Sequence, residues 1–275
     1  GARDHLSMST PGLSIPGSTA VITAAGRGIG LEVALQFTSV GIDVVINDID
    51  ADNLKEAKSS LAGNDGDVVA VEGDAADPDA MQHLIERAVE EFGGVDILIN
   101  NVGISGPWKP LAEVGFEEFM NTLAVNLGGV QNATTAAIPH LTEGDYGRII
   151  NMSSRIAKEP LAERGPYSIS KMGIIALTRT LAVELGDQGV TVNAVCPGPV
   201  RGERVDSALR ERAETWDLDG ASSFEDILEN LQEDSPMHEN LEAKDVANMI
   251  VFLCSEQARK ITGQDINITA GRLMD

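Results

Sequence analysis

The chain has 275 residues, and its 20 Lys and Arg stand against 43 Asp and Glu, a formal charge of −23. A hydrophobic share of 43% is too high for a disordered acidic chain. Charge of this sign excludes phosphate backbones and anionic membrane surfaces as partners. No apolar run reaches the roughly 18 residues that a bilayer span needs, and the N-terminus lacks an apolar signal core. The positive minority is skewed, with 7 Lys to 13 Arg. Such a surface suits either a high-salt cytoplasm, where screening tolerates dense charge, or an acidic mesophilic enzyme. A fold that melts in low salt would mark the first.

In chain order, residues 1–12 read as a leader, with Gly1–Ser7 ahead of Met8 as a tag remnant. Residues 13–275 read as one domain. Short β-branched runs predict strands at Thr19–Thr23, Asp43–Asn47, Asp67–Val71, Val95–Asn100, Arg148–Met152, Thr191–Val195 and Asp265–Ile268. Several are continuous rather than alternating, which suits strands buried on both faces of a parallel sheet. Helices are expected between them. Gly28–Val40 follows a glycine turn, and Ala51–Leu61 has Asp50 or Asp52 as a cap. Asp77–Glu91 starts with Asp-Pro, which puts Pro78 at a favoured first position. Gly115–His140 reads as broken near Asn126–Gly129, Pro166–Gly186 as ending at its glycine, and Leu241–Ser255 as the last helix. This β-α order predicts a Rossmann-like doubly wound parallel sheet of about seven strands flanked by helices. Residues 201–240 are polar and carry no strand signal, so they read as a helical lid insertion.

The first strand runs into Thr23-Ala24-Ala25-Gly26-Arg27-Gly28-Ile29-Gly30. A glycine turn between a buried strand and a helix start makes a pyrophosphate cradle, because backbone N–H groups and helix-end potential face the anion. The pattern G-x-G-x-x-G fails at Leu31. Asp48 ends the second strand, 18 residues past Gly30. A carboxylate there accepts hydrogen bonds from both adenosine ribose hydroxyls and repels a 2′-phosphate, which favours NAD over NADP. Arg27 argues mildly the other way, and a helix cap is the bland role for Asp48. Further on, Tyr167 and Lys171 stand four apart on one helical face. A free phenol titrates near pH ~10. A neighbouring ammonium and a cationic nicotinamide would lower that and fit the pair for acid–base work.

Together these features resemble the short-chain dehydrogenase/reductase family, from about Thr19 to Gly271. Thr23, Gly28 and Gly30 match its T-G-x-x-x-G-x-G motif, and Asn100-Asn101-Val102-Gly103 its N-N-A-G motif. Asn126 falls at the family's catalytic Asn, and Ser154 stands 13 residues before Tyr167. Pro197-Gly198 follows the sixth strand, and Ile261-Thr262-Gly263-Gln264 precedes the last. The resemblance implies a cytoplasmic NAD-dependent enzyme that interconverts a small secondary alcohol and a ketone, assembled as a homotetramer or homodimer. It makes Tyr167 the general acid–base and Ser154 the donor that orients the substrate oxygen. Lys171 would hold the nicotinamide ribose, and Asn126 a water on the proton path. Cofactor contacts would come from Thr23, Arg27, Gly28, Ile29, Gly30, Asp48, Asp74, Asn100, Val102, Gly103, Tyr167, Lys171, Pro197, Gly198 and Val200. The adenine side falls to Asp74 and Asn100, the carboxamide to Val200.

Three positions depart from the pattern. Ala24 replaces a glycine and fits if its φ is negative; Val102 replaces an Ala; Gly202 stands where many members have a contacting Thr. None removes a catalytic group. Arg155, Lys158 and Arg164 stand out near the substrate side of a chain poor in cations. Arg155 and Arg164, beside Ser154 and Tyr167, are candidates for a substrate carboxylate, sulfonate or phosphate, against surface pairs with Glu159 or Glu163. Trp108 and Trp216 could cap a pocket. Cys196 and Cys254 form no disulfide framework or zinc pattern, in keeping with a reducing compartment. No metal is expected, and none of the four histidines is assigned to catalysis. A 3-oxoacyl-thioester reductase and a non-catalytic NAD-binding sensor are the competing readings.

Overall fold

The computed structural model of the chain describes residues 13–202 and 224–274. The expected leader and Trp216 lie outside the described residues. Seven strands form one parallel sheet: β1 (Thr19–Ile22), β2 (Asp43–Asp48), β3 (Val68–Glu72), β4 (Ile97–Asn100), β5 (Gly147–Met152), β6 (Val190–Pro197) and β7 (Asp265–Ile268). Their order across the sheet is β3-β2-β1-β4-β5-β6-β7. The chain reverses its direction of travel between β1 and β4, which register Ala20 on Ile97 and Ile22 on Ile99. A crevice forms at the carboxyl ends of strands where the order reverses, because the flanking loops part to opposite faces there.

The continuous apolar runs have their cause in two cores. Ala20 and Ile22 of β1 point to one face, where they meet Val33, Ala34 and Phe37 of α1 (Gly28–Thr38). The same face holds Leu54 and Leu61 of α2 (Ala51–Leu61). Val21, one residue out of phase, joins the opposite core with Met81 and Leu84 of α3 (Pro78–Phe92). Strand alternation thus feeds apolar side chains to both layers.

Capping follows the sequence closely. Asp50 accepts from the Asp52 and Asn53 N–H groups at the head of α2, and Asp77 accepts from Asp79 N ahead of Pro78 in α3. The segment expected to break near Asn126 is α4 (Phe116–Leu123), a π turn at Ala124–Gly128, then α5 (Gly129–Leu141). The four-residue α6 (Arg155–Lys158) and the long α7 (Gly165–Leu185) follow. The helix α7 ends with Gly186 as its C-cap, as expected. Gly186 is right-handed and opens a 3₁₀ turn at Gly186–Gln188, and the left-handed residue is Gly189, with φ 79°. The fourth strand starts later than Val95, since Asp96 turns its carboxylate to the Ser18 and Thr19 N–H groups at the foot of β1. Of the 201–240 insertion, the described part contains α8 (Phe224–Glu233). Leu241 bridges to Val200 ahead of α9 (Ala243–Leu253).

The edge strand β7 is pinned by charge. Asp265 meets Lys158 at 2.8 Å and Arg179 at 2.7 Å. Burial alone would raise the Asp265 pKa, but the hydrogen bonds and charges of Lys158 and Arg179 outweigh it and hold it below the usual carboxylate range. A carboxyl depressed in the fold contributes stability above its unfolded pKa of about 3.9, and that contribution fades as pH falls through the folded value. Asp265→Asn is therefore expected to lower the urea midpoint at pH 7, with the deficit shrinking as the pH falls into that range. A deficit that stays constant down to acid would contradict it.

Ala24 follows β1 with φ 49°, so the condition under which an alanine fits there, a negative φ, is not met. The left-handed turn is forced because the Ala24 carbonyl accepts from Asn101 Nδ2 at 2.8 Å. A non-glycine residue in this region costs of order 1–3 kcal/mol, while glycine carries an entropic cost of about 0.5–1 kcal/mol. Ala24→Gly is expected to stabilise the fold by about 1 kcal/mol in urea unfolding; a less stable variant would refute the strain.

Candidate active site

A cleft of about 650 Å³ opens at the carboxyl ends of β1 and β4. One end is lined by Asp48, Ile49, Asp74 and Ala75, the middle by Ala24, Arg27, Gly28 and Ile29, the far end by Ser153, Tyr167 and Lys171. Its floor is stitched by Thr23. The Thr23 hydroxyl accepts from Asn101 N at 3.0 Å and Val102 N at 3.3 Å, tying the end of β1 to the chain beyond β4.

The glycines differ in purpose. Gly28 has φ 60° and opens α1 in a conformation that a side chain resists. Gly30 allows close approach, since a Cβ there would lie 2.7 Å from Asn101 Nδ2 and 2.9 Å from the Ala24 carbonyl. Helix α1 has no side-chain cap and no acid in its first turn. In a chain of charge −23, this leaves unpaired N–H groups and positive end potential facing the cleft. The donor set and the elongated cleft fit a dinucleotide with its pyrophosphate at this helix end.

Asp48 is half-buried and lines the cleft. Its Oδ2 accepts from Gly26 N at 3.1 Å, an approach open because a Cβ on Gly26 would lie 2.7 Å from that oxygen. The helix cap is Asp50, not Asp48. Asp74 is exposed on one side, and its Oδ1 accepts from Ala76 N. Asn100 does not line the cleft with its side chain. It is fully buried and donates from Nδ2 to Thr134 Oγ1 and Asn151 Oδ1, inside the sheet. Its neighbour Asn101, one residue on, faces the cleft instead. Val102 and Gly103 also line it, and the enlarged Val102 is accommodated by Gly129, whose missing Cβ would lie 3.2 Å from Val102 Cγ1.

Tyr167 and Lys171 share one face of α7, with Lys171 Nζ 5.7 Å from the Tyr167 ring centroid. Lys171 is buried and donates to the Met152 carbonyl at 2.9 Å. Ser153 lines the cleft and donates to the Lys171 carbonyl at 2.8 Å. Ser154 follows it at the end of β5, and its Oγ caps α6 by accepting from Ile156 N at 3.3 Å. Asn126 sits in the π turn, fully buried. Its Oδ1 accepts from Ile104 N at 2.7 Å, and its Nδ2 donates to the Ile104 carbonyl and Ser170 Oγ. Asn126 Oδ1 and Lys171 Nζ flank Gly103, 3.5 Å and 3.1 Å from where a Cβ would stand.

Pro197 and Gly198 lie behind the lining, with Gly198 N donating to the Ile268 carbonyl, while Val200, Arg201 and Gly202 line the cleft. The candidate anion-binding residues part company. Arg155 is buried and bonded to Glu159, the surface-pair alternative. Burial and the nearby Arg272 hold its pKa below the usual arginine value. Lys158 is paired with Asp265. Arg164 lies against Tyr167, and Trp108 stacks on it rather than capping the cleft. Cys196 is buried, and burial raises its thiol pKa. Sequence reasoning missed Asn101, Ile104, Ser105 and Ala243 among the lining residues. The first is legible as the second Asn of N-N-x-G, whereas the others carry no chemical signature. Among the described residues, no helix is long and apolar enough to cross a membrane.

Comparison with known proteins agrees with this geometry. Residues 23–272 match the family model described as enoyl-(acyl carrier protein) reductase. An uncharacterized oxidoreductase of Thermotoga maritima is 33% identical over 259 residues, 94% of this chain and 98% of that protein. Among solved structures, L-sorbose reductase from Gluconobacter frateurii, complexed with NADPH and L-sorbose, is 27% identical with a TM-score of 0.88, covering 96% and 99% of the two chains. Carveol dehydrogenase from Mycobacterium avium, in complex with NAD, is also 27% identical with a TM-score of 0.88, covering 96% and 100%. The glycine turn on α1, the Tyr167–Lys171 pair and the match over residues 23–272 make this chain an oxidoreductase of the short-chain dehydrogenase/reductase family.

Proposed function

We propose that the chain is an NAD(H)-dependent enzyme interconverting a secondary alcohol and a ketone. The observation that carries this is the cleft with Asp48 at one end and Tyr167 and Lys171 at the other. The cofactor supplies hydride exchange with the carbinol carbon when bound. The chain's residues do the rest. Tyr167 takes or gives the proton of the substrate oxygen. Ser154 would turn its hydroxyl from the α6 cap to that oxygen and steady its developing charge. Lys171, anchored on the Met152 carbonyl, presents its ammonium beside the phenol. Asn126, across Gly103 from Lys171, fixes the Ile104 wall and belongs to the route by which the proton reaches solvent.

Thr23, Gly30 and Asn101 shape the floor for the cofactor, and Arg27, Gly28 and Ile29 meet the pyrophosphate. Asp48 and Asp74 take the adenosine end; Val102, Gly103, Pro197, Gly198 and Val200 frame the nicotinamide end. Asp48 supports NAD, since a 2′-phosphate would meet its carboxylate. A 3-oxoacyl-thioester reductase is the second reading, favoured by 31% identity over 257 residues to a 3-oxoacyl-[acyl-carrier-protein] reductase of Staphylococcus aureus. A surface at −23 disfavours docking of an acidic carrier. The free, buried Cys196 and Cys254 support a reducing cytoplasm. Exposed Phe116 and Met120 on α4, with Ile169 and Met172 on α7, support a homodimer or homotetramer through these helices.

Tyr167→Phe is expected to lower kcat at least ~10³-fold, on the order of what removing an acid–base group costs, with NADH binding by fluorescence unchanged. Retained turnover would sink the mechanism, and the same variant separates an enzyme from a cofactor-binding sensor. In competitive titration the wild type is expected to bind NADH more tightly than NADPH, and Asp48→Ser to narrow or reverse that order. An NADPH preference in the wild type would overturn the NAD assignment. The substrate itself is sought by NAD reduction across polyols, hydroxy acids, sulfonated alcohols and cyclic alcohols.

A further inference from the structure

Arg164 precedes α7 and is 4% exposed. Its guanidinium carbon lies 3.9 Å from the Trp108 ring centroid and 4.4 Å from the Tyr167 ring centroid. The guanidinium thus lies against both rings. Nη1 donates to the Ser105 carbonyl at 3.0 Å, and Ser105 lines the cleft. The same two loops are tied again where Lys109 N donates to the Glu163 carbonyl at 3.2 Å. The Arg164 carbonyl accepts from Ser168 N at 2.9 Å, so the residue also begins the turn that carries Tyr167.

A planar guanidinium stacks flat on aromatic faces, which an ammonium cannot do. Held between Trp108 and Tyr167, it restricts rotation of the phenol ring and places a second positive charge beside it. Lys171 supplies the first, from the next turn of α7. The other charged groups lining the cleft are Arg27, Asp48, Asp74 and Arg201.

We propose that Arg164 is a positioning residue for Tyr167, clamping the phenol ring between the Ser105–Trp108 wall and the head of α7. The catalytic meaning rests on Tyr167 being the acid–base group; the contact does not.

The chain has two tyrosines, Tyr146 and Tyr167. Tyr146 is bonded to the Cys254 carbonyl, and burial pushes its phenol far above the usual range. NMR of the full chain with ring-labelled tyrosine gives two sets of ring signals, and Tyr167→Phe assigns the one that reads the clamp. Arg164→Met is expected to speed flipping of the Tyr167 ring severalfold and to lower kcat on the substrate found by the screen, with NADH affinity unchanged. Arg164→Lys is expected to leave the flipping fast, because an ammonium does not stack as a planar guanidinium does. An unchanged flip rate in a folded Arg164→Met protein would overturn the proposal. Should that variant fail to fold, Trp108→Ala loosens the clamp from its other side, and an unchanged flip rate there overturns the proposal equally. If Tyr167→Phe keeps full turnover, the acid–base reading falls while the flip rate still decides the clamp; a dead Tyr167→Phe with an unchanged Arg164→Met flip rate removes the clamp alone.

Discussion

The cleft depends on one hydroxyl. Thr23 Oγ1 accepts from both Asn101 N and Val102 N, so the chain leaving β4 is fixed against the chain leaving β1 where the sheet order reverses. Asn101 then reaches the Ala24 carbonyl. That contact draws the glycine turn over the crevice and leaves space only for hydrogen at Gly30. The α1 N-terminus, the Val102–Gly103 wall and the gap before Lys171 inherit their places from this stitch.

The sheet and its helices were legible because a doubly covered parallel sheet draws apolar residues into both phases of its central strands, as in β1. Caps were legible where an acid stood alone at a helix head, as Asp77 does. Legibility fails where a choice depends on a third party. Ala24 looks like a residue at ordinary φ until the Asn101 bond fixes its carbonyl. Asn100 and Asn101 are identical in type, and only strand phase decides that the first joins the buried Asn151 and Thr134 while the second meets the cleft. Gly186 ends the α-helix as read, but the 3₁₀ turn that follows it and puts the left-handed residue at Gly189 carries no separate signal.

Cations near the site were visible as a group but not as individuals. Lys158 is engaged in holding the edge strand, Arg155 is matched by the acid one turn away, and Arg164 lies against two rings. Their partners separate them where a count of charges does not. The helix end at α1 makes the complementary point, since the acids that cap α2 and α3 have no counterpart there.

Val102 and Gly129 form a lock of bulk against vacancy. The first exceeds the family's usual alanine, and the second has no side chain, so the two together keep the cleft wall and α5 at contact distance. Shortening Val102 with Gly129 unchanged would leave a hole in the wall beside the cleft, and a Cβ at Gly129 would press on both Val102 and Ala75.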